Sequence, residues 1–156
     1  MIMATLRLSP LQLREHGFTT VRVHAIDNGS LTNSPSLKPA ISFERQSANP
    51  NQWRLVLSLE LGSRDAAKAF AYEGEMKVQG LVEVTDAKVP EDRKEQLALV
   101  NGFSLLYSAA REMLLNITAR SRHGGVTLPT ISFVSMVKEA TEPKTTPQNP
   151  APTAAN

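Results

Sequence analysis

Apolar and polar side chains alternate through the first half of the chain. In residues 53–61, WRLVLSLEL, every odd position (Trp53, Leu55, Leu57, Leu59, Leu61) is apolar, whereas Arg54, Val56, Ser58 and Glu60 include a single apolar side chain. A period of two predicts a β-strand with one buried face. A second alternating run fills residues 69–84, AFAYEGEMKVQGLVEV. Phe70, Tyr72, Met76, Val78, Val82 and Val84 share one face, and Glu73, Glu75, Lys77, Gln79 and Glu83 the other. The run predicts a strand of about 15 residues, roughly three times the usual length, with Gly74 and Gly80 marking bends or bulges. FTTVRVHAI, at residues 18–26, is rich in β-branched side chains and reads as another strand, and AISFE, at 40–44, as a shorter fourth. Between these two, Asn28-Gly29 and two prolines mark residues 27–39 as a loop. Residues 1–17 are set apart as an N-terminal extension, in which Leu6, Leu8, Leu11 and Leu13 fit either a short strand or a loose turn of helix.

Beyond Asp86 the period changes. Pro90 suits a first helical position, and Glu91 and Asp92 suit the positive end of the helix dipole. A short helix is predicted from there to Val100, ended by Asn101-Gly102. A longer helix follows over residues 103–121, where Phe103, Leu106, Tyr107, Ala110, Met113, Leu114 and Ile117 recur at helical spacing. Ser104, Ser108, Arg111, Glu112 and Asn116 lie away from that stripe, and Gly124-Gly125 ends the helix. Residues 138–156, KEATEPKTTPQNPAPTAAN, hold four of the 10 prolines and no large apolar side chain. Such a segment buries too little to offset its ordering entropy, so a disordered tail is predicted beyond a domain at 18–137. Strands first and helices afterwards predict an α+β fold: a four-stranded antiparallel sheet with a short and a long C-terminal helix packed on one face.

Composition narrows the chemistry. The chain has 156 residues, enough for one domain, and no cysteine. Disulfides, thiolate metal sites and cysteine nucleophiles are thereby excluded. Lys and Arg number 17 against 15 Asp and Glu, a net charge of +2, and aromatics make up 5%. That is neither a phosphate-binding footprint nor a base-stacking platform, so no nucleic-acid partner is expected. No apolar run reaches the roughly 18 residues of a membrane span. The first residues lack the pattern of a cleaved leader, so a cytoplasmic protein without membrane insertion is expected. His16, His24 and His123 do not stand at metal-ligand spacing. No nucleophile elbow, P-loop or dinucleotide fingerprint occurs. Glu73 and Glu75 share a strand face and read as a solvated surface rather than an acid–base pair. No catalytic residue, metal or cofactor is expected, and the chain is not expected to be an enzyme.

Five segments in order, AISFE, QWRLVLSLEL, AFAYEGEMKVQGLVEV, LLYSAAREMLLNITAR and LPTISF, resemble the SecB family over residues 41–133. Ile41-Ser42-Phe43-Glu44 matches the family's ISFE strand. Leu106, Ala110, Arg111 and Glu112 match the core of its helix, and Arg120, Gly124, Leu128, Ile131 and Phe133 resemble its closing part. Ser108 replaces the family's helix proline, Ser132 replaces its closing asparagine, and the loop at 27–39 intervenes before ISFE. The resemblance implies a cytosolic chaperone that holds unfolded precursors export-competent, without ATP, for the translocation ATPase SecA. It also implies a homotetramer built as a dimer of dimers. At the family's SecA-contact positions stand Ala40, Glu44, Ala71 and Glu73, so Glu44 and Glu73 are the SecA-contact candidates. SecB-like proteins also serve single clients such as antitoxins, which makes a dedicated chaperone the alternative, beside a homo-oligomeric interaction module with no export role.

A long one-sided strand and an amphipathic helix offer more apolar surface than a small monomer conveniently covers; the surplus forms interfaces or binding patches. Phe43, Trp53, Tyr72, Met76 and Met113, near the strand–helix junctions, are the candidates for a client-binding groove, and each also fits core packing. Phe103, Leu106, Tyr107, Ala110 and Leu114 are the candidates for a helix interface between copies, with edge strands pairing inside each dimer.

Overall fold

The computed structural model describes residues 8–141. Four strands come first: β1 (Leu11–Ala25), β2 (Pro35–Arg45), β3 (Gln52–Ser63) and β4 (Tyr72–Val84). A long helix α1 (Glu91–Thr118) and a short one, α2 (Val134–Thr141), follow. The strands form one antiparallel sheet in the order β1-β4-β3-β2, which leaves β1 and β2 as its edges. This is the α+β architecture that the sequence pattern predicts.

Register explains which face is buried. Leu55, Leu57 and Leu59 of β3 stand opposite Gly80, Val78 and Met76 of β4 on one side and Phe43, Ile41 and Pro39 of β2 on the other. Directly opposed residues share a face, so the odd positions of β3 and their partners build one apolar surface. Helix α1 lies across β4, β3 and β1 on that surface. It turns Leu99, Phe103, Leu106, Ala110 and Leu114 inward at helical spacing, and all five are fully buried. Each large side chain so buried stabilises the fold by roughly 1.5–3 kcal/mol.

Four boundaries differ from the sequence expectation. β1 begins at Leu11, so residues 11–17 belong to the sheet rather than to an extension. The alternation is hard to read there because β1 shifts register between Leu13 and Glu15 and again between Phe18 and Thr20, which moves apolar side chains out of a strict period of two. β2 starts at Pro35, inside the predicted loop; an edge strand tolerates Pro35 and Pro39, whose missing N–H groups face open water.

The helix break expected at Asn101-Gly102 does not occur, and α1 runs 28 residues without interruption. Asn101 stays helical by donating its side-chain amide to the Leu97 carbonyl at 3.0 Å. Gly102 is buried against the sheet, where a Cβ would collide with Leu55 Cδ1. The glycine is there for close approach rather than to stop the helix. The short helix is instead α2, which carries the domain past the expected boundary at 137 because Val137 is buried in the core. The predicted tail beyond Thr141 lies outside the described residues.

Candidate functional site

Two of the five groove candidates sit at the surface and three do not. Trp53, Tyr72 and Met76 are buried in the core of the single chain. Trp53 is fully enclosed, its indole N–H has no acceptor among the described residues, and the Arg45 guanidinium lies 5.0 Å from its ring centre. Arg45 also donates to Glu91 at 2.5 Å, which ties β2 to the first turn of α1. Bonds from Lys94 and then from Arg45 hold the Glu91 carboxyl below its ordinary range. Tyr72 donates its hydroxyl to the Gly124 carbonyl at 2.6 Å and meets the rings of Phe70 and His123 edge-on. Large aromatics with this much surface fill the space between sheet and helix, and the sequence pattern alone does not separate that use from a groove.

Phe43 and Met113 are half-buried. Phe43 belongs to a strip on the inner face of β2 with Leu37, Pro39 and Ile41, all half-buried at the rim of the core. The strip combines apolar side chains with the open main-chain edge of β2, a combination that suits an extended polypeptide.

The five helix-interface candidates are used inside the chain. Phe103, Leu106, Tyr107, Ala110 and Leu114 face the sheet and the segment that follows α1. They form the apolar stripe of α1, and that stripe packs on its own sheet. The opposite side of α1 carries Asn101, Ser104, Leu105, Ser108 and Leu115, with Leu105 42% exposed and Leu115 39%. Its polar members are satisfied locally: Ser104 donates to the Val100 carbonyl at 2.7 Å and Ser108 to the Ser104 carbonyl at 2.9 Å, as Asn101 does to Leu97. Hydroxyls and amides bonded to their own helix need no partner, so this outward stripe can be covered at little polar cost. The leucines outside the main stripe were the sequence signal for it.

The outer face of the sheet is polar and laced with ion pairs. Arg14 binds Glu83 at 2.5 Å, Arg54 reaches Glu15 at 3.7 Å, Lys38 reaches Glu60 at 3.9 Å, and Arg22 pairs with Glu75. The Arg14 bond holds the Glu83 carboxyl below its ordinary range. Glu44 and Glu73 are both exposed on this face. Glu44 stands in the row of Arg54 and Leu81. Glu73 lies roughly 26 Å further along β4, at about 3.3 Å per residue. It borders a shallow depression of about 350 Å³ lined by Arg22, His24, Glu60 and Glu75. The two SecA-contact candidates are therefore not neighbours.

Between the helices, residues 119–133 run without helix or strand and lie against α1. Tyr107 donates to the Pro129 carbonyl at 2.6 Å, and Arg111 Nε to the Leu128 carbonyl at 2.9 Å. Phe133 stacks on Phe103 with ring centres 5.8 Å apart and meets Tyr107 edge-on. Burial pushes the Tyr107 phenol above its ordinary pKa, against the pull of the Arg111 charge. Among the described residues no three His, Asp or Glu side chains come together as metal ligands, and no helix is long and apolar enough to cross a membrane.

The chain matches the family described as Preprotein translocase subunit SecB over residues 5–144. It belongs to the SecB family. The match includes most of the segment that the sequence reading set apart as an extension. It also places Ile41-Ser42-Phe43-Glu44 in the second strand, well inside the matched region rather than near its start. No curated protein matches the chain in sequence. Among solved structures it is similar to the Mycobacterium tuberculosis Rv1957 SecB-like chaperone, captured in complex with a ChAD peptide from the Rv1956 HigA1 antitoxin. Identity is 16% and the TM-score 0.60, over 78% of this chain and 91% of that one. A protein of unknown function from Streptococcus agalactiae is similar at 14% identity and a TM-score of 0.42, over 77% and 97% of the two chains. SecB-family membership and the shared fold of a SecB-like chaperone support a chaperone role for this chain.

Proposed function

We propose that this protein is an ATP-independent holdase that binds unfolded polypeptide and performs no chemistry of its own. The observation that carries the reading is the half-buried apolar strip of Leu37, Ile41 and Phe43 beside the open edge of β2, in a SecB-family fold. Apolar burial and main-chain pairing are indifferent to client sequence, which is what holding many unfolded chains requires. The test is suppression of aggregation of a chemically unfolded protein at near-stoichiometric ratio without ATP.

The working form is a cytoplasmic homotetramer, a dimer of dimers. Pro35 and Pro39 stand four residues apart and direct their nitrogens the same way, which blunts the first part of the β2 edge and leaves only Ile41 to Arg45 open to a client, whereas β1 contains no proline between Leu11 and Ala25. Edge pairing within a dimer therefore uses β1, and the outward stripe of α1 packs between dimers. Light scattering that finds only monomer at micromolar concentration would contradict this assembly.

Two client programmes are compatible with a holdase. Delivery of export precursors to SecA would use Glu44 and Glu73. Service to one client, such as an antitoxin, needs neither. Separation of the two carboxylates on a charge-balanced face favours the dedicated client, as does the peptide held by the M. tuberculosis neighbour. Titration of SecA into wild type, Glu44→Lys and Glu73→Lys separates them: SecA binding that both reversals weaken supports export, and no binding by wild type supports the dedicated client.

A further inference from the structure

The segment between the two helices is held as a ligand would be. From Gly125 to Phe133 no N–H donates to a backbone carbonyl among the described residues. The segment instead places Leu128 and Phe133 in the core and half-buries Val126 and Ile131, with exposed residues between them. Apart from the Phe133 carbonyl, which accepts from the Val137 N–H, the bonds to its main chain come from side chains of the body. Arg111 donates to the Leu128 carbonyl and Tyr107 to that of Pro129, while the Val126 N–H donates to Thr118 Oγ1; just before the segment, Tyr72 anchors the Gly124 carbonyl. Two donors that read successive carbonyls, together with apolar sockets for spaced side chains, are the recognition chemistry of an extended polypeptide of any sequence. Even Pro129 is accepted, because only its carbonyl is read.

We propose that residues 125–133 are an internal pseudo-client: they occupy, in the empty protein, a site on α1 that an unfolded polypeptide takes by displacing them. The inference rests on the holdase reading and adds a second client site, on α1 apart from the β2 strip, together with what a client must displace to reach it. Displacement exposes Phe103 and Tyr107, whose rings now contact Phe133, and frees the Tyr107 and Arg111 donors for the carbonyls of the client. Because segment and client exclude one another, the observed client affinity is the intrinsic affinity reduced by the fraction of molecules with the segment lifted.

The absence of cysteine allows a direct test. Leu128→Cys puts a single thiol at a position that is now 2% exposed. Its rate of alkylation is measured with and without reduced, carboxymethylated α-lactalbumin, a chain that stays unfolded, and binding of that chain is measured in parallel by titration. Displacement predicts labelling at least tenfold faster when client is bound, and client affinity at least threefold tighter for Leu128→Cys than for wild type. Unchanged or slower labelling with client demonstrably bound would overturn the pseudo-client and leave the holdase reading standing. Absence of binding by either chain would overturn both. Should the variant fail to fold, hydrogen exchange of wild-type residues 125–133 takes its place: faster exchange with client supports displacement, and unchanged or slower exchange contradicts it.

Discussion

Gly102 of α1 lies against Leu55 of β3 so closely that a Cβ on the glycine would overlap the leucine methyl. By helix propensity alone, Gly102→Ala would gain about 1 kcal/mol. Overpacking costs typically 1–3 kcal/mol, and here both Leu55 and Val82 are in the way. With the propensity gain set against that cost, the variant is expected to be destabilised by up to about 2 kcal/mol, read from the shift of a urea midpoint. A rise in stability would mean that α1 can lift off the sheet without loss.

The same glycine marks where the sequence was legible and where it was not. The alternation of Trp53 to Leu61 reports β3 faithfully because both faces of that strand have fixed environments, one under α1 and one in water. Asn101-Gly102 carries the local signature of a helix stop, and only contact with Leu55, far away in sequence, shows that it serves packing. β1 is obscured by its two bulges, and the start of β2 by prolines that only an edge accommodates. For the site, residue type identified the apolar side chains but not their partners. Leu106 and Leu105 are adjacent and equally apolar, yet one is fully buried under the sheet and the other is 42% exposed.

That contrast separates folding from assembly. Leu106→Ala empties a core position and is expected to cost about 2–5 kcal/mol. Leu105→Glu alters a surface position; the isolated fold should change by less than about 0.5 kcal/mol while the proposed tetramer dissociates to smaller species. Light scattering and melting of both variants check this. A fully assembled Leu105→Glu protein would place the seam elsewhere.

Tyr107 gives the fold a dependence on high pH. Its phenol titrates above the ordinary 10.0 because it is buried. The neutral form is favoured in the folded chain, so this contribution is intact below about pH 10 and is lost as pH rises through the folded value. Tyr107→Phe gives up the bond to Pro129, about 1 kcal/mol near neutral pH. The stability gap between wild type and Tyr107→Phe should therefore narrow above pH 10. A gap that stays constant to pH 11.5 would show that the phenol titrates alike in the folded and the unfolded chain.

Phe43 and Trp53 were indistinguishable as groove candidates and differ in burial. Trp53→Ala removes a fully enclosed ring and is expected to cost about 3–5 kcal/mol. Phe43→Ala removes a half-buried one, at about 1–2 kcal/mol, and is expected to weaken binding of an unfolded chain at least fivefold in a protein that remains folded. Calorimetric melting and peptide titration on the two variants read both effects. Equal client affinity for wild type and Phe43→Ala would remove the β2 strip from the site.

The claim on which the rest depends is that the folded, ATP-free protein captures unfolded polypeptide. Reduced, carboxymethylated α-lactalbumin titrated into the wild-type protein in a calorimeter tests it most directly. The account predicts saturable binding with a negative heat-capacity change, the mark of apolar surface leaving water. Absence of binding at tens of micromolar, by a protein that melts cooperatively, would contradict it.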